Sequence, residues 1–151
     1  MSIQDMIAQL GQGMLTSVLI YALTLIGAVP LALPLALARG GKSKIARLLT
    51  GAYISFMRGT PLMLQLIAVY FGPWYLFRIR ISDRYRFYAV IIAFVLNYAA
   101  YFAEIYRAGI AAVPKGQREA AAVLGYTNAQ AFFRIVLPQV IKHILPPMAN
   151  E

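Results

Sequence analysis

The sequence contains no cysteine, and this absence excludes several classes of function. Without a thiol the chain forms no disulfide bond, has no thiol nucleophile and holds no iron–sulfur cluster through cysteine. Acidic residues are scarce as well, with 5 Asp and Glu against 14 Lys and Arg. The basic residues do not share a face with base-stacking aromatic residues, so the net charge of +9 does not predict a nucleic-acid partner.

Charge is also missing from three long stretches of the chain. Residues 14–38, 59–77 and 87–103 are uncharged runs of 25, 19 and 17 residues, close to the ~20 residues that a helix needs to cross ~30 Å of hydrocarbon. The hydrophobic content of 61% exceeds the ~45–50% of soluble proteins. We therefore predict an all-α, polytopic helical membrane protein, a single domain over 1–151 with spans at about 14–38, 59–77, 87–113 and 135–151. The last span is only the beginning of a fourth, and we expect the domain to be incomplete at its C-terminus.

The basic residues lie between the apolar runs, where they encode membrane orientation. Segment 39–58, interpreted as a loop, and the segment after the third run carry ten of them and are predicted to be cytoplasmic by the positive-inside rule. They are Arg39, Lys42, Lys44, Arg47 and Arg58 in the first segment, and Arg107, Lys115, Arg118, Arg134 and Lys142 in the second. Segment 78–86, with four arginines and one aspartate, is then expected outside, against the rule.

Polar residues interrupt the third span at helical spacing. Asn97, Tyr101, Glu104 and Arg107 follow at i, i+4, i+7 and i+10 and share one face of a helix. A carboxylate is costly in lipid, so Glu104 should find a partner inside the bundle or in a wet cavity. Two interpretations stay open: an internal Glu104–Arg107 pair, or a route for a polar solute in which Glu104 meets an ammonium or guanidinium group.

Segment 114–134 predicts two short helices joined by a glycine turn. Pro114 and Gly116 stop the third span, and a helix over 117–124 follows with Glu119 in its first turn and Gly125 as its C-terminal cap. Thr127 and Gln130 predict a capping box for the second helix. Its predicted apolar stripe consists of Ala129, Phe132, Phe133 and Val136. A helix of about eight residues is unstable alone in water, so this segment must dock on something.

The same segment resembles a known family. Glu119-Ala120-Ala121, followed by Gly125 and by Ile135, Leu137 and Pro138, is similar to the EAA signature of the membrane subunits of bacterial binding-protein-dependent ABC importers. The stretches FMRGTPLMLQL, YAAYFAEIYRAGI and VPKGQREAAAVLGY resemble the polar amino-acid uptake branch, of the histidine, glutamine or arginine type. The resemblance covers nearly the whole chain.

The resemblance implies a permease subunit of the bacterial cytoplasmic (inner) membrane that moves polar amino acids, has no catalytic site and binds no cofactor or metal. ATP and magnesium would be bound by separate ABC ATPase subunits. Further partners would be a second permease subunit, identical or related, an extracytoplasmic amino-acid-binding protein and membrane lipid. The implied ATPase-coupling residues are Glu119, Ala120, Ala121, Gly125, Ile135, Leu137 and Pro138. The implied substrate path contains Asn97, Tyr101, Glu104, Arg107, Gly59, Thr60 and Pro61.

Substrate identity and two other functions stay open. Glu104 favours a cationic amino acid, but a carboxylate equally binds the α-ammonium group that all amino acids share. A membrane scaffold that anchors a cytoplasmic partner without transport would also use the two short helices. A fragment of an ion-driven carrier would need no ATPase.

Overall fold

The computed structural model describes residues 2–151, with the backbone alone for Asp83. The described residues form helices and no strand, which confirms the all-α prediction. The elements are α1 (Ile3–Gly40), α2 (Lys44–Gly59), α3 (Leu62–Phe77), α4 (Asp83–Ala112), α5 (Lys115–Val123), α6 (Asn128–Ala131), a π-helical turn (Phe132–Val136) and α7 (Leu137–Asn150).

Two helices in the described part of the chain are long and apolar enough to cross a membrane. They are α1, with 38 residues, and residues 84–112 of α4, with 29. A third candidate is the pair α2 and α3, which is bent by 108° at a short break. The expected spans 14–38 and 87–113 fall on α1 and α4, and the expected span 59–77 falls on α3 and the break before it.

The interpretation of segment 39–58 as a loop is wrong, because α2 occupies most of it. Its lysine and arginine residues are compatible with a helix, since both are good helix formers. Ile45, Leu48 and Leu49 are exposed on this helix although they are apolar. α2 is thus an amphipathic helix, a class that lies at membrane interfaces.

The chain divides into two compact units, and the first contains residues 1–31 and 56–99. Its buried side chains are mostly small, including Ala28 on α1 and Ala89 and Ala93 on α4. Gly27 faces Val95, and a Cβ atom at Gly27 would lie 2.8 Å from a methyl carbon of Val95. Small residues let membrane helices approach closely, so α1 and α4 pack backbone to side chain here.

The second unit contains residues 32–55 and 100–151. Its hydrophobic core consists of Val113, Val136 and Val140, with Ile110 and Ile144 packed against them. Gly109 lies against Val140 and Ile144, where it leaves no room for a side chain. The end of α4 therefore packs directly on α7.

Residues 128–150 run through α6, the π turn and α7 without a break in helical structure. The predicted apolar stripe on this segment is wrong in part. Val136 is buried and Phe132 is half-buried, but Ala129 and Phe133 are exposed. Ala131 takes the buried position instead, because the π turn changes the angle between residues on either side of it.

Candidate functional site

Pro61 removes a backbone hydrogen bond at the break between α2 and α3. In a continuous α-helix the carbonyl of Met57 would accept a hydrogen bond from the N–H of residue 61, and proline has none. The break therefore leaves the last carbonyls of α2 without helical partners. In a membrane protein such groups must be satisfied by other protein groups or by water in a cavity.

The side chain of Gln65 supplies the missing donor. Its Nε2 lies 2.9 Å from the Met57 carbonyl oxygen and 3.2 Å from the Thr60 carbonyl oxygen. It also lies 2.8 Å from Thr60 Oγ1, which in turn donates to the Phe56 carbonyl at 2.8 Å. The Gln65 side chain is buried.

Asn97 on α4 completes this arrangement. Its Nδ2 donates to the Met57 carbonyl at 3.2 Å and to Gln65 Oε1 at 3.0 Å. The structure thus brings together three of the predicted path residues, Thr60, Pro61 and Asn97, in the first unit. Gly59 lies at the same break and is exposed. We call Met57, Thr60, Gln65 and Asn97 the break network.

Gln65 is a residue that the sequence analysis missed, although a signal for it exists. A glutamine four residues after a proline, inside an uncharged run, indicates a polar group nearby that needs a hydrogen-bond partner, because polar side chains are costly in lipid. Met57, four residues before Pro61, carries that group. Asn97 Nδ2 donates two hydrogen bonds within this network, so the Asn97 side chain has a structural role.

Glu104 and Arg107, in the second unit, form the internal ion pair that was one of the two interpretations left open by the sequence. Arg107 Nε donates to Glu104 Oε1 at 2.9 Å, and Nη2 of the same guanidinium donates to the same oxygen. The Glu104 side chain is 25% exposed and that of Arg107 is 39% exposed. Tyr101, one turn before Glu104, is half-buried. The pair places both signs of charge at one accessible point on α4.

The short helix α5 begins earlier than the sequence predicted. Pro114 adopts an extended conformation as its N-cap, directly after α4 has ended at Ala112, so that Lys115 and Gly116 are its first two residues. Two predictions are therefore wrong. Gly116 does not help to stop the third span, because it lies inside α5. Glu119 lies beyond the first turn, where it does not complement the helix dipole.

Both turns around Gly125 agree with the prediction. Gly125 has φ +79°, and its N–H donates to the Ala122 carbonyl at 3.0 Å while the N–H of Tyr126 donates to the Ala121 carbonyl at 3.0 Å. These two bonds are the Schellman motif. Thr127 and Gln130 form the expected capping box, with bonds of 3.0 and 3.3 Å. The helix, glycine turn and helix of the docking segment are thus fixed by local hydrogen bonds.

The predicted coupling residues differ in how accessible they are. Glu119, Ala120, Gly125 and Pro138 are exposed, Ile135 and Leu137 are half-buried, and Ala121 is buried. The end of α5 also exposes Val123 and Leu124, at 88% and 73%, which the sequence analysis did not single out. Two large apolar side chains are thus exposed side by side at the end of this helix.

The chain matches a family described as "Binding-protein-dependent transport system inner membrane component" over residues 28–151. The chain belongs to this family. Its helical architecture and its candidate membrane spans fit such a component.

Named relatives of this chain are permease proteins. It is 45% identical over 134 residues to the "L-cystine transport system permease protein TcyL" of Bacillus subtilis (strain 168), covering 87% of this chain and 56% of the relative. It is 48% identical over 99 residues to the "Arginine transport system permease protein ArtQ" of the same organism, covering 66% and 44%. The chain spans about half the length of the curated relatives it matches.

A solved structure has the same fold. It is described as "Crystal structure of an amino acid ABC transporter with histidines", with a TM-score of 0.79 and 37% identity. The match covers 99% of this chain and 70% of that chain. The helices and the break described above thus lie in a chain that follows a known transporter architecture over nearly its whole length.

Proposed function

We propose that this chain is the membrane subunit of an ATP-driven importer that moves polar amino acids across the bacterial cytoplasmic membrane. The observation that carries the proposal is the docking segment 114–134. A nine-residue helix that is capped at its end by Gly125 presents Val123 and Leu124 to its surroundings. We infer that these two side chains contact a partner, because neighbouring exposed apolar side chains mark interaction sites.

The partner that we propose is an ABC ATPase subunit, which would bind ATP and magnesium. Glu119, Ala120 and Gly125 would form the coupling element together with the two exposed apolar side chains. Closure of the ATPase subunits on ATP would move α5 as a rigid body, and the spans would change between inward-open and outward-open arrangements. Free energy for this change would come from the preference of ATP for one arrangement. A second permease subunit and an extracytoplasmic binding protein would complete the transporter.

The proposed substrate class is amino acids with a free α-ammonium and α-carboxylate group. The Glu104–Arg107 pair is accessible and carries both charges. A zwitterionic substrate could exchange for the internal pair, with its ammonium group on Glu104 and its carboxylate on Arg107. Relatives named for cystine and arginine support this class, since both substrates share these two groups.

Crosslinking in the assembled transporter tests the ATPase contact. Because the chain has no cysteine, Val123→Cys introduces a single thiol that can react with a thiol-to-amine crosslinker. We expect a product with the ATPase subunit from Val123→Cys and from Leu124→Cys. Leu10→Cys, which is also exposed but lies near the start of α1, is the matched control and should give none. Equal products from all three variants, or none from any, would contradict the proposed docking surface.

Uptake measurements test the transport proposal separately. In cells that express the complete transporter, Glu104→Gln should lower the uptake of labelled amino acid while the crosslink from position 123 persists. A scaffold without transport would retain the crosslink and show no uptake to lose. The combination therefore distinguishes the two functions.

A further inference from the structure

An open cleft in the second unit is lined by positively charged side chains. Its volume is about 410 Å³, and it lies between the ends of α1 and α4 and the start of α5. The cations that line it are Arg39, Arg107, Lys115 and Arg118. Arg107 is paired with Glu104, so three cations in the cleft have no acidic partner among its described lining residues.

The arginine on α1 is held in place by α2. Arg39 Nη1 donates to the backbone carbonyl of Arg47 at 3.2 Å, and its guanidinium lies directly on Gly51, where a side chain would displace it. Arginine has five N–H donors in a planar fork, so this single bond leaves donors available to a second acceptor. Arg39 is half-buried, and its contacts with α2 position the guanidinium before any ligand arrives.

The start of α5 strengthens the positive potential at the same place. Lys115 and Arg118 lie at the N-terminal end of this helix, where its dipole is also positive. Two cations there are unfavourable for the isolated helix. An anion bound in the cleft would offset both the cations and the dipole, and N-terminal N–H groups favour phosphate in particular.

The remaining walls of the cleft are apolar. Leu37, Ile110, Ala111 and Val113 line it beside the charged groups. Ala36 and Leu37 belong to the last turns of α1, and Ile110 and Ala111 to the last turns of α4, where both helices leave their apolar runs. The cleft therefore combines a cationic mouth with an apolar wall.

We propose that this cleft binds the phosphodiester headgroup of an anionic phospholipid in the cytoplasmic leaflet. Arg39, Lys115 and Arg118 would hold the phosphate oxygens by charge-assisted hydrogen bonds. Liquid water occupies about 30 Å³ per molecule, so the cleft has room for roughly a dozen waters or for the roughly ten non-hydrogen atoms of a phosphoglycerol headgroup. Basic pockets between membrane helices on the cytoplasmic side suit such headgroups. The site would tie the base of α5, and with it the docking segment, to the lipid surface.

Native mass spectrometry of the purified chain with equal amounts of phosphatidylglycerol and phosphatidylcholine tests the site. We expect phosphatidylglycerol to be retained about a hundredfold better, because each of the three cations favours anionic lipid by about fivefold. The triple variant Arg39→Gln, Lys115→Gln and Arg118→Gln should lose about a hundredfold of this binding. Arg118→Gln alone, at an exposed position that is safe for folding, should lose about fivefold.

A second triple variant controls for general attraction between a basic protein and anionic lipid. Arg47→Gln, Arg134→Gln and Lys142→Gln also removes three cations, all exposed and none of them lining the cleft. We expect its retention of phosphatidylglycerol to stay within about twofold of the unmodified chain, because these cations lie outside the pocket. An equal loss in both triple variants would overturn the proposal.

Two further arms distinguish the source of the phosphate. Excess inorganic phosphate should not displace phosphatidylglycerol, because the apolar wall also holds the acyl chains. Binding of labelled inorganic phosphate by the lipid-free chain, with the same dependence on the three cations and no preference between the two lipids, would overturn the lipid assignment in favour of a soluble phosphate. No preference for phosphatidylglycerol and no phosphate binding would overturn the anion site and leave the cleft to an acidic segment of a protein partner.

Discussion

Asn97 and Gln65 lie 32 residues apart in the chain and share a hydrogen bond of 3.0 Å from Asn97 Nδ2 to Gln65 Oε1. Both side chains also donate to the carbonyl oxygen of Met57, at 3.2 and 2.9 Å. Two buried amides thus replace the backbone bond that Pro61 removes. The sharp bend between α2 and α3 is stabilised from α4, a helix that follows both in sequence.

A double-mutant cycle on this pair should show direct coupling. Asn97→Ala and Gln65→Ala should each lower the free energy of unfolding, because each leaves the Met57 carbonyl with one donor fewer. Interhelical hydrogen bonds in membrane proteins contribute about 0.6 kcal/mol on average and up to about 1.7 kcal/mol. We expect a coupling free energy in that range from detergent unfolding titrations.

The control cycle pairs Asn97→Ala with Gln139→Ala. Gln139 donates to the Ile135 carbonyl within its own helical segment at 2.9 Å, and it belongs to the second unit, whereas the break network belongs to the first. The two substitutions should be additive within about 0.5 kcal/mol. Additivity in both cycles would show that Asn97 and Gln65 act independently.

Two glycines of the docking segment should respond to alanine with opposite signs. Gly125 has φ +79° and open space where a Cβ atom would stand, so Gly125→Ala suffers only from the left-handed backbone, at a cost of about 1–2 kcal/mol. Gly116 lies in the first turn of α5 with equal space and no positive φ. Gly116→Ala should therefore stabilise α5 by up to about 1 kcal/mol.

Hydrogen exchange at the amide of Tyr126 measures both effects, since this N–H donates to the Ala121 carbonyl only when the turn is intact. Exchange should become faster in Gly125→Ala and slower or unchanged in Gly116→Ala. The same direction of change in both variants would show that backbone conformation does not set the stability of the turn.

Gly109 should tolerate no large side chain, because it lies against Val140 and Ile144 of α7. Gly109→Leu forces these residues apart and should lower the free energy of unfolding by about 1–3 kcal/mol. Gly72→Leu on α3 is the matched control, because a Cβ there meets no atom within 4 Å. Thermal unfolding in detergent should separate the two variants, and equal midpoints would contradict the close packing of α4 on α7.

The hydroxyl group of Thr127 should contribute to the stability of the docking segment. Thr127→Ala removes the acceptor for the Gln130 N–H and should cost about 1 kcal/mol. Thr127→Ser keeps the hydroxyl and should restore most of the loss. Amide exchange at Gln130 reports the bond directly, and identical exchange in the alanine and serine variants would assign the effect to lost packing of the methyl group.

The parts of this structure that follow from neighbouring residues were predictable from the sequence. The long uncharged runs locate α1 and α4, because lipid admits few charges. The turn at Gly125 and the capping box at Thr127 and Gln130 depend on residues within a few positions of each other. The Glu104–Arg107 pair is one helical turn long, and the spacing made it one of two open interpretations.

Other parts of the structure depend on contacts between residues that are distant in sequence, or on the exact residue at which a helix begins. The need of the Met57 carbonyl for a partner follows from Pro61, but its second donor, Asn97, lies 40 residues away. Glu119 falls outside the first turn of α5 because that helix starts two residues before the predicted position, at Lys115. The charges of α2 indicate membrane orientation but not secondary structure. The signal for a helix was the spacing of Ile45, Leu48 and Leu49 at i, i+3 and i+4.

The π turn at Phe132–Val136 determines which residues lie on the buried side of the last helical segment. In an α-helix each residue advances by about 100°, so positions five apart point in directions about 140° apart. Across the wider turn Ala131 and Val136 are both buried, and Val140 continues the same side four residues later. The turn acts as a single inserted residue. Deleting one position between Phe132 and Val136 would give an unbroken α-helix in which Ala131 and Val136 are four positions apart, about 40° in direction, and so stay on the same side.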